Sequence, residues 1–290
     1  MLRVSRHTMQ RGMRVSAAKV YAIGNEKGGV GKTTVAVNLA ATLADGGSRV
    51  LLIDSDPTFR ATQVLGVDPR QAPGTLAEIY LSPKADPGAA ILTTDFAGVD
   101  LLASGPELSD VANQLAGLNY REFRLRLALG AYLDDCPYDV VMLDTPPSKG
   151  LLLSNALQVV DEVVCVVDMT DDGSVQGVIN TLRHMQEMAA VPNSHVPDLR
   201  VLRNHVDPRS KAYQRIMDPG QLNLVGVCAQ LHVALMQAEI PETREFANAA
   251  TERRPLVAVP CSPSNRPLAA AIDALHQLAN ELTNVPALTA

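Results

Sequence analysis

Aromatic side chains are scarce in this sequence of 290 residues: they make up 3% of the chain, and tryptophan is missing. Proteins that bind single-stranded nucleic acid stack bases on aromatic side chains, so this scarcity disfavours that class. The four cysteines show no CxxC or CxxH spacing, and we therefore expect neither a zinc site nor an iron–sulfur cluster. Two of them, Cys165 and Cys228, lie in apolar runs and are predicted to be core residues.

The sequence also lacks a long apolar run and a net positive charge. No stretch reaches the roughly 18 apolar residues that a helix needs to cross a bilayer. Residues 1–18 contain several arginines but no apolar block of a secretory signal, so we expect a basic, disordered arm on a cytoplasmic protein. The net charge of −6 gives no overall basic footprint for nucleic acid, and any contact with DNA therefore requires a local patch.

Short apolar runs alternate with segments of helical spacing along the chain. The runs predicted to be strands are residues 20–23, 50–53, 99–102, 140–143, 163–167, 199–202 and 224–227. The segments predicted to be helices are residues 33–44, 111–133, 174–188 and 264–282. Because the strands lack in/out alternation, both faces of the sheet should be covered, which indicates an α/β fold with a doubly wound, mostly parallel sheet. Residues 68–88 and 191–197 are expected to be surface loops.

We expect one domain over residues 19–284, followed by a tail of residues 285–290. In a sheet of this kind, ligands bind at the carboxyl ends of the strands. The motifs that carry chemistry should therefore follow strands directly.

A glycine-rich loop follows the first predicted strand and precedes an alanine-rich helix. Residues 24–34 read GNEKGGVGKTT. Glycines let successive backbone N–H groups turn toward an anion, and the positive end of the following helix faces the same anion. Lys32 would neutralise the outer phosphates of a nucleotide, and the Thr33 hydroxyl would hold Mg²⁺. The strict phosphate-loop pattern fails at Glu26, where a glycine should stand, and a second lysine, Lys27, lies at the loop entrance. A glycine-rich turn without a ligand is the alternative, but it gives the lysines no purpose.

The run KGGVGKTT resembles the deviant Walker A loop of the ParA/MinD family of ATPases. This resemblance implies a P-loop NTPase fold, ATP and Mg²⁺ as cofactors, and hydrolysis of ATP to ADP and phosphate. It makes Lys27 the signature lysine, which reaches the nucleotide of the other subunit when two monomers enclose two ATP molecules. The ATP-bound state is then a homodimer. The nucleotide-binding residues implied for this loop are Lys27, Gly28, Gly29, Val30, Gly31, Lys32, Thr33 and Thr34.

Two acidic elements at strand ends match the same family. Residues 51–57, LLIDSDP, are similar to its D-x-D-P element, and residues 138–148, YDVVMLDTPPS, to its Y-D-x-x-x-x-D-x-P-P-S element. Strand alternation puts Asp54 and Asp56 on one side, facing the phosphate loop. The resemblance assigns Asp56 to the attacking water and Asp54 to the Mg²⁺ shell, while Asp144 has the Walker B position and would orient a Mg²⁺-bound water. Acids that only cap a strand or a turn are the alternative. With Lys27 and Lys32, Asp56 completes the expected catalytic set.

Three further segments match the family less closely. Residues 58–60 read TFR where many members carry Gln-Gly-Asn. Asn204 lies at a strand end where the family places an asparagine against the adenine edge, although residues 204–207, NHVD, also look like the N-K-x-D guanine reader of GTPases. Residues 240–256 resemble the family's late helix, with Glu242 in place of an arginine and Asn248 in place of a glutamate.

Membership of a fold family and hydrolysis of ATP do not by themselves identify the cellular role or the cargo of the protein. MinD-like proteins end in a basic amphipathic membrane helix, but residues 275–290 contain no Lys or Arg, so no membrane partner is expected. Similarity to ParA-type partition ATPases implies an ATP dimer that binds nonspecific duplex DNA on the nucleoid and is released by a ParB-like centromere-binding protein. Binding of DNA requires a basic surface, and arginines in the C-terminal part of the chain, called here the late arginines, could form it. The candidate DNA contacts among them are Arg244, Arg253 and Arg254. A positioning ATPase for a protein cargo and a dimerising GTPase are the alternatives.

Overall fold

The computed structural model describes residues 18–82, 84–218, 223–262 and 264–283. The expected basic arm, apart from Ala18, and the expected tail lie outside these residues. The strands are β1 (Lys19–Gly24), β2 (Val50–Asp54), β3 (Ile91–Thr93), β4 (Val99–Leu102), β5 (Val140–Asp144), β6 (Glu162–Asp168), β7 (Asp198–Val206) and β8 (Ala234–Pro241). The α-helices are α1 (Lys32–Asp45), α2 (Arg60–Val64), α3 (Leu76–Leu81), α4 (Pro87–Ala90), α5 (Leu108–Ala116), α6 (Arg124–Asp134), α7 (Leu151–Leu157), α8 (Gly173–Ala189), α9 (Lys211–Met217), α10 (Leu224–Gln230), α11 (Glu245–Thr251) and α12 (Arg266–Thr283).

These strands form one eight-stranded sheet in the order β3-β4-β2-β5-β1-β6-β7-β8. Its neighbours run parallel except β3, which is antiparallel to β4. Successive residues of β1 enter different cores: Tyr21 and Ile23 pack with α1 and α12, whereas Val20 and Ala22 pack with α3, α5, α6 and α7. The sheet is therefore covered on both faces, which confirms the expected doubly wound, mostly parallel α/β fold.

The prediction of a strand at residues 224–227 is wrong, because this run begins α10. Its helix starts at Asn223, whose side chain accepts a hydrogen bond from Gly226 N–H, an arrangement typical of a helix N-terminus. The strand in this part of the chain is β8, which lies at the sheet edge and mixes exposed with buried side chains. A short apolar run cannot distinguish a strand from a buried helical turn.

Two other predictions need correction. The helix expected over residues 111–133 is two helices, α5 and α6, and the intervening segment contains Tyr120 in the left-handed region with φ 55°. The loop expected over residues 68–88 contains α3, whose Leu76, Ile79 and Tyr80 are fully buried. The expected loop over residues 191–197 is confirmed. Among the described helices, none combines the length and apolar character that crossing a bilayer requires.

Candidate functional site

The carboxyl ends of three neighbouring strands meet at the glycine-rich loop. In the sheet, Asp54 of β2 is in register with Asp144 of β5, and Asp144 is in register with Ile23 of β1. Both carboxylates are therefore placed directly beside the point where β1 ends and the loop begins. This arrangement follows from strand pairing and not from the flexible reach of side chains.

The loop needs glycine at two left-handed positions, Gly29 with φ 80° and Gly31 with φ 92°. At Gly31, a Cβ atom would lie 2.3 Å from Asn204 Nδ2, so any side chain would collide. The same Asn204 nitrogen donates to the Val30 carbonyl oxygen at 2.8 Å. Asn204, expected at the adenine edge, thus fastens the loop to the end of β7.

Lys32 crosses the loop beneath its backbone. Its side-chain nitrogen donates to the Lys27 carbonyl oxygen at 3.0 Å, and the residue is buried. Burial lowers the pKa of Lys32, while the charges of Asp144 and Asp56 act against that shift. A buried ammonium group with acids on one side provides a fixed positive charge for a polyanion.

The arrangement around Asp144 leaves one carboxylate oxygen unused. Thr33 Oγ1 donates to Asp144 Oδ2 at 2.7 Å, but Asp144 Oδ1 is buried and has no hydrogen-bond partner among the described residues. Burial, followed by the negative charge of Asp54, raises the pKa of Asp144 well above its ordinary value. A hydroxyl and an unpartnered carboxylate oxygen are donors of the type that Mg²⁺ prefers, so these residues fit the cation.

Asp54 lies behind this pair of donors. Its Oδ2 accepts hydrogen bonds from Thr62 N at 2.8 Å and Thr62 Oγ1 at 2.7 Å, and its Oδ1 accepts one from Asp56 N at 3.3 Å. Burial raises the pKa of Asp54 to about 6, although the hydrogen bonds from Thr62 oppose the shift. The carboxylate therefore holds α2 and the segment after β2 against the end of the sheet.

Asp56 is held at one oxygen only. Its Oδ1 accepts from Thr58 N and Thr58 Oγ1, both at 2.8 Å, and Ser104 Oγ donates to its backbone oxygen at 3.1 Å. Among the described residues, none donates a hydrogen bond to Oδ2. That oxygen remains able to accept a proton or to orient a water molecule.

The loop entrance is bound by α8 and the segment before it. Lys27 forms an ion pair with Asp171, which lowers the pKa of that carboxyl. The buried Asn25 donates to the Val166 carbonyl oxygen at 2.7 Å and to the Ser174 carbonyl oxygen at 3.3 Å. The roles of Asn25 and Asp171 cannot be predicted from the sequence, because their contacts join segments 141 and 144 residues apart that no motif connects. Thr62 is only eight residues from Asp54, but it belongs to no recognisable motif.

The late arginines lie beside α11 and are exposed. Arg254 lines a small cavity together with Thr33, Thr34 and Arg60. Arg253 and Arg60 line an adjoining cavity of about 720 Å³. The structure thus places Arg254 next to the phosphate loop and Arg253 in the adjoining cavity, while Arg244 precedes α11 at its other end.

Removing the Asp144 charge should stabilise the protein in the absence of nucleotide and metal. Asp144→Asn is expected to raise the free energy of unfolding by about 1 kcal/mol or more, a gain of about 2–4 °C in Tm, because a buried carboxylate with an unpartnered oxygen no longer opposes Asp54. Thermal melts in EDTA measure this. Asp139→Asn at the exposed start of the same strand is the matched control and should not raise Tm. A lower Tm for Asp144→Asn would contradict the expected charge repulsion.

The glycine-rich loop surrounds a buried lysine, and acidic residues lie at the ends of adjacent parallel strands. These features define a phosphate-loop nucleotide-binding protein. The family model AAA_31, described as an AAA domain, matches residues 18–197. Over 204 residues the chain is 32% identical to the chromosome partitioning protein ParA of Caulobacter vibrioides, which covers 70% of this chain and 76% of that protein. The chain belongs to this AAA domain family and to the ParA/MinD family of ATPases.

Two solved structures are similar in fold. A cobyrinic acid a,c-diamide synthase from Mycobacterium smegmatis, with a bound ATP analogue and magnesium, has a TM-score of 0.68 and 30% identity, covering 81% of this chain and 92% of that chain. The ATP complex of a substituted McdA from Cyanothece has a TM-score of 0.75 and 20% identity, covering 95% of this chain and all of that one. The second likeness concerns the fold alone.

Proposed function

We propose that this ATPase is a DNA-partition protein whose ATP-bound homodimer holds nonspecific duplex DNA on the nucleoid. Hydrolysis, stimulated by a ParB-like centromere-binding protein, then releases the DNA. The observation that carries this proposal is the position of Arg254 and Arg60 in one cavity with Thr33 and Thr34. Because these arginines adjoin the phosphate loop, exchanging ATP for ADP changes the electrostatic potential at their side chains and the positions in which they face DNA.

ATP and Mg²⁺ fit the loop and the strand ends in this proposal. The backbone N–H groups of residues 28–34 surround the phosphates, and Lys32 neutralises their charge. Thr33 and Asp144 hold Mg²⁺, with Asp54 supporting them from behind. When bound, Mg²⁺ neutralises charge on the outer phosphates. An ATP analogue and magnesium are bound in the M. smegmatis structure, which supports this assignment.

Dimerisation requires Lys27 to exchange partners. In the single chain its ammonium group is paired with Asp171. To reach a nucleotide in the second subunit, Lys27 must leave that carboxylate, and the new ion pair with phosphate replaces the old one. Asp56 then orients the attacking water through its free Oδ2. A productive site is therefore complete only in the dimer.

We expect weak hydrolysis of ATP by the isolated protein. The reason is that Lys27 is engaged within its own chain and productive sites form only on association. Phosphate release measured across protein concentrations should give a specific activity that rises with concentration and rises further with DNA and the partner protein. Rapid turnover by a dilute monomer would contradict the sandwich mechanism.

Charge reversal at the late arginines tests DNA binding. Arg244→Glu, Arg253→Glu and Arg254→Glu should each weaken ATP-dependent binding to duplex DNA and lower the slope of log K against log salt by about 0.9 for each lost phosphate contact. Filter binding across salt, with ATP and with ADP, measures both effects. Arg126→Glu on α6, whose buried face packs on the opposite side of the sheet from α11, is the matched control and should bind DNA normally. ATP-driven dimerisation should survive all four changes.

Three outcomes would favour the alternatives. Equal affinity for DNA in both nucleotide states, or no binding at low salt, would support a positioning ATPase for a protein cargo. GTP outcompeting ATP would support the GTPase. Asn204 Nδ2 donates to the Val30 carbonyl oxygen, and Asp207 Oδ1 accepts from Arg209 N and Arg209 Nε, both at 3.1 Å, so a guanine reader built on these atoms would have to give up those contacts.

A further inference from the structure

A buried polar chain connects the phosphate loop to two helices. His184 of α8 contacts Glu26 Oε1 through Nδ1 at 3.2 Å and Ser154 Oγ of α7 through Nε2 at 2.9 Å. The side chains of His184 and Glu26 are 4% and 10% exposed, and Ser154 is also buried. Glu26 occupies the position where the strict phosphate-loop pattern has its first glycine.

The direction of these hydrogen bonds follows from the carboxylate. Glu26 accepts only, so Nδ1 of His184 carries the hydrogen, and Nε2 accepts a hydrogen bond from the Ser154 hydroxyl. Burial lowers the pKa of His184 below its ordinary value, and the charge of Glu26 opposes that shift. The direction of the shift favours the neutral ring. The other charges that face the ring are Lys149, from the segment before α7, and Glu187 on α8.

The order Ser154, His184, Glu26 is that of a nucleophilic triad, but the surroundings exclude this chemistry. Ser154 lies inside α7, its backbone N–H donates to the Gly150 carbonyl oxygen at 2.9 Å, and its side chain is buried. A nucleophile must be reachable by its substrate. These groups instead form a hydrogen-bonded link between the loop entrance, α8 and α7.

The link joins two segments that flank the nucleotide site described under the proposed function. Glu26 stands between Asn25 and Lys27, whose side chains are bound by α8 and the segment before it. Ser154 belongs to the helix that follows residues 145–150, which come directly after Asp144. Lys149 of that segment also pairs with Glu187 on α8. The helix α8 thus grips both the loop entrance and the segment after β5.

We propose that His184 is a positioning residue of the ATPase, which couples the phosphate loop through Glu26 to α7 through Ser154. The inference rests on the ATP site described under the proposed function. Without the Glu26 contact the loop entrance loosens, so that ATP is held less tightly and KM rises. Without the Ser154 contact α7 and residues 145–150 loosen, so that water and metal are less well placed and kcat falls.

A cycle of variants separates this coupling from simple packing. Glu26→Met should raise KM about fivefold with little change in kcat, and Ser154→Ala should lower kcat about fivefold with little change in KM. Glu26→Gln keeps an acceptor oxygen for Nδ1 and should restore wild-type KM. In a His184→Leu background, Glu26→Met and Ser154→Ala should have no further effect. Steady-state phosphate release in the full chain, at a temperature where melts show each variant folded, provides the measurements.

If Glu26→Met or Ser154→Ala does not fold, two substitutions at His184 take their place. Asn reaches the position of Nδ1 and keeps the contact with Glu26, whereas Gln reaches the position of Nε2 and keeps the contact with Ser154. His184→Asn should then lower kcat, and His184→Gln should raise KM. Equal changes in both variants, or undiminished effects of Glu26→Met and Ser154→Ala beside His184→Leu, would overturn the coupling. Failure of the proposed function would be seen in a different measurement: the wild-type protein would bind DNA with the same affinity in ATP and in ADP.

Discussion

Lys32→Ala is expected to abolish ATP hydrolysis and to weaken nucleotide binding by about 100-fold or more. Lys32 is a buried cation tied across the loop to the Lys27 carbonyl oxygen, and its removal leaves phosphate charge facing Asp144 and Asp56 without compensation. Titration with a fluorescent ATP analogue measures binding, and phosphate release measures turnover. The loss should exceed that of any other single substitution considered for this protein.

The matched control for this change is Lys19→Ala. Lys19 begins β1 at the end of the strand away from the loop, and its side chain is exposed, so binding and turnover should remain at wild-type values. Lys32→Arg retains charge but not the compact ammonium group, and its activity should remain low. Nucleotide affinity of Lys32→Ala within threefold of wild type would refute the assignment of Lys32 to the phosphates.

Asp56→Ala should retain ATP and accumulate the dimer, while hydrolysis falls by about 100- to 1,000-fold. Asp56 is fixed through Oδ1 by Thr58 and has Oδ2 free, which is the arrangement needed to orient a water molecule. Because the phosphate contacts assigned to Lys32 and the loop backbone remain, the substitution separates binding from turnover. Light scattering after gel filtration with ATP measures the dimer, and phosphate release measures the chemistry.

Asp45→Ala serves as its control. Asp45 ends the 14-residue helix α1, about 20 Å from the loop, and is exposed. It should neither trap the dimer nor slow hydrolysis. Unchanged hydrolysis in Asp56→Ala would remove Asp56 from the reaction, and loss of ATP binding would give the carboxylate a role in holding the loop.

The central strands are predictable from sequence because burial on both faces makes them continuous apolar runs. β2 and β5 are buried at every residue, and their pattern needs no knowledge of neighbours. The edge strand β8 lacks that pattern, since some of its side chains meet solvent. The break between α5 and α6 is hidden for another reason. The apolar residues keep a roughly helical spacing across it, and a pattern of apolar residues cannot reveal that the backbone of Tyr120 is left-handed.

The candidate site likewise contains some residues that the sequence predicts and others that only the folded structure reveals. The phosphate loop and the acids Asp54, Asp56 and Asp144 are contiguous with strand ends, so local sequence is enough to bring them forward as candidates. Asp171 and His184 contact the loop across 144 and 158 positions of the chain. Only the tertiary arrangement of α8 reveals those contacts, since neither residue belongs to a recognisable local motif.

Both outer strands of the sheet are poor templates for the addition of another strand. β3 is three residues long and antiparallel to its neighbour, and β8 pairs with β7 through two register shifts and ends at Pro241, which has no N–H. Short, bulged and proline-terminated edges resist edge-to-edge aggregation. If copies of the protein assemble beyond a dimer, we therefore expect the assembly to grow through helical and loop surfaces and not through added strands. We expect such an assembly to dissociate more easily than a cross-β fibre, which is held together by continuous strand pairing.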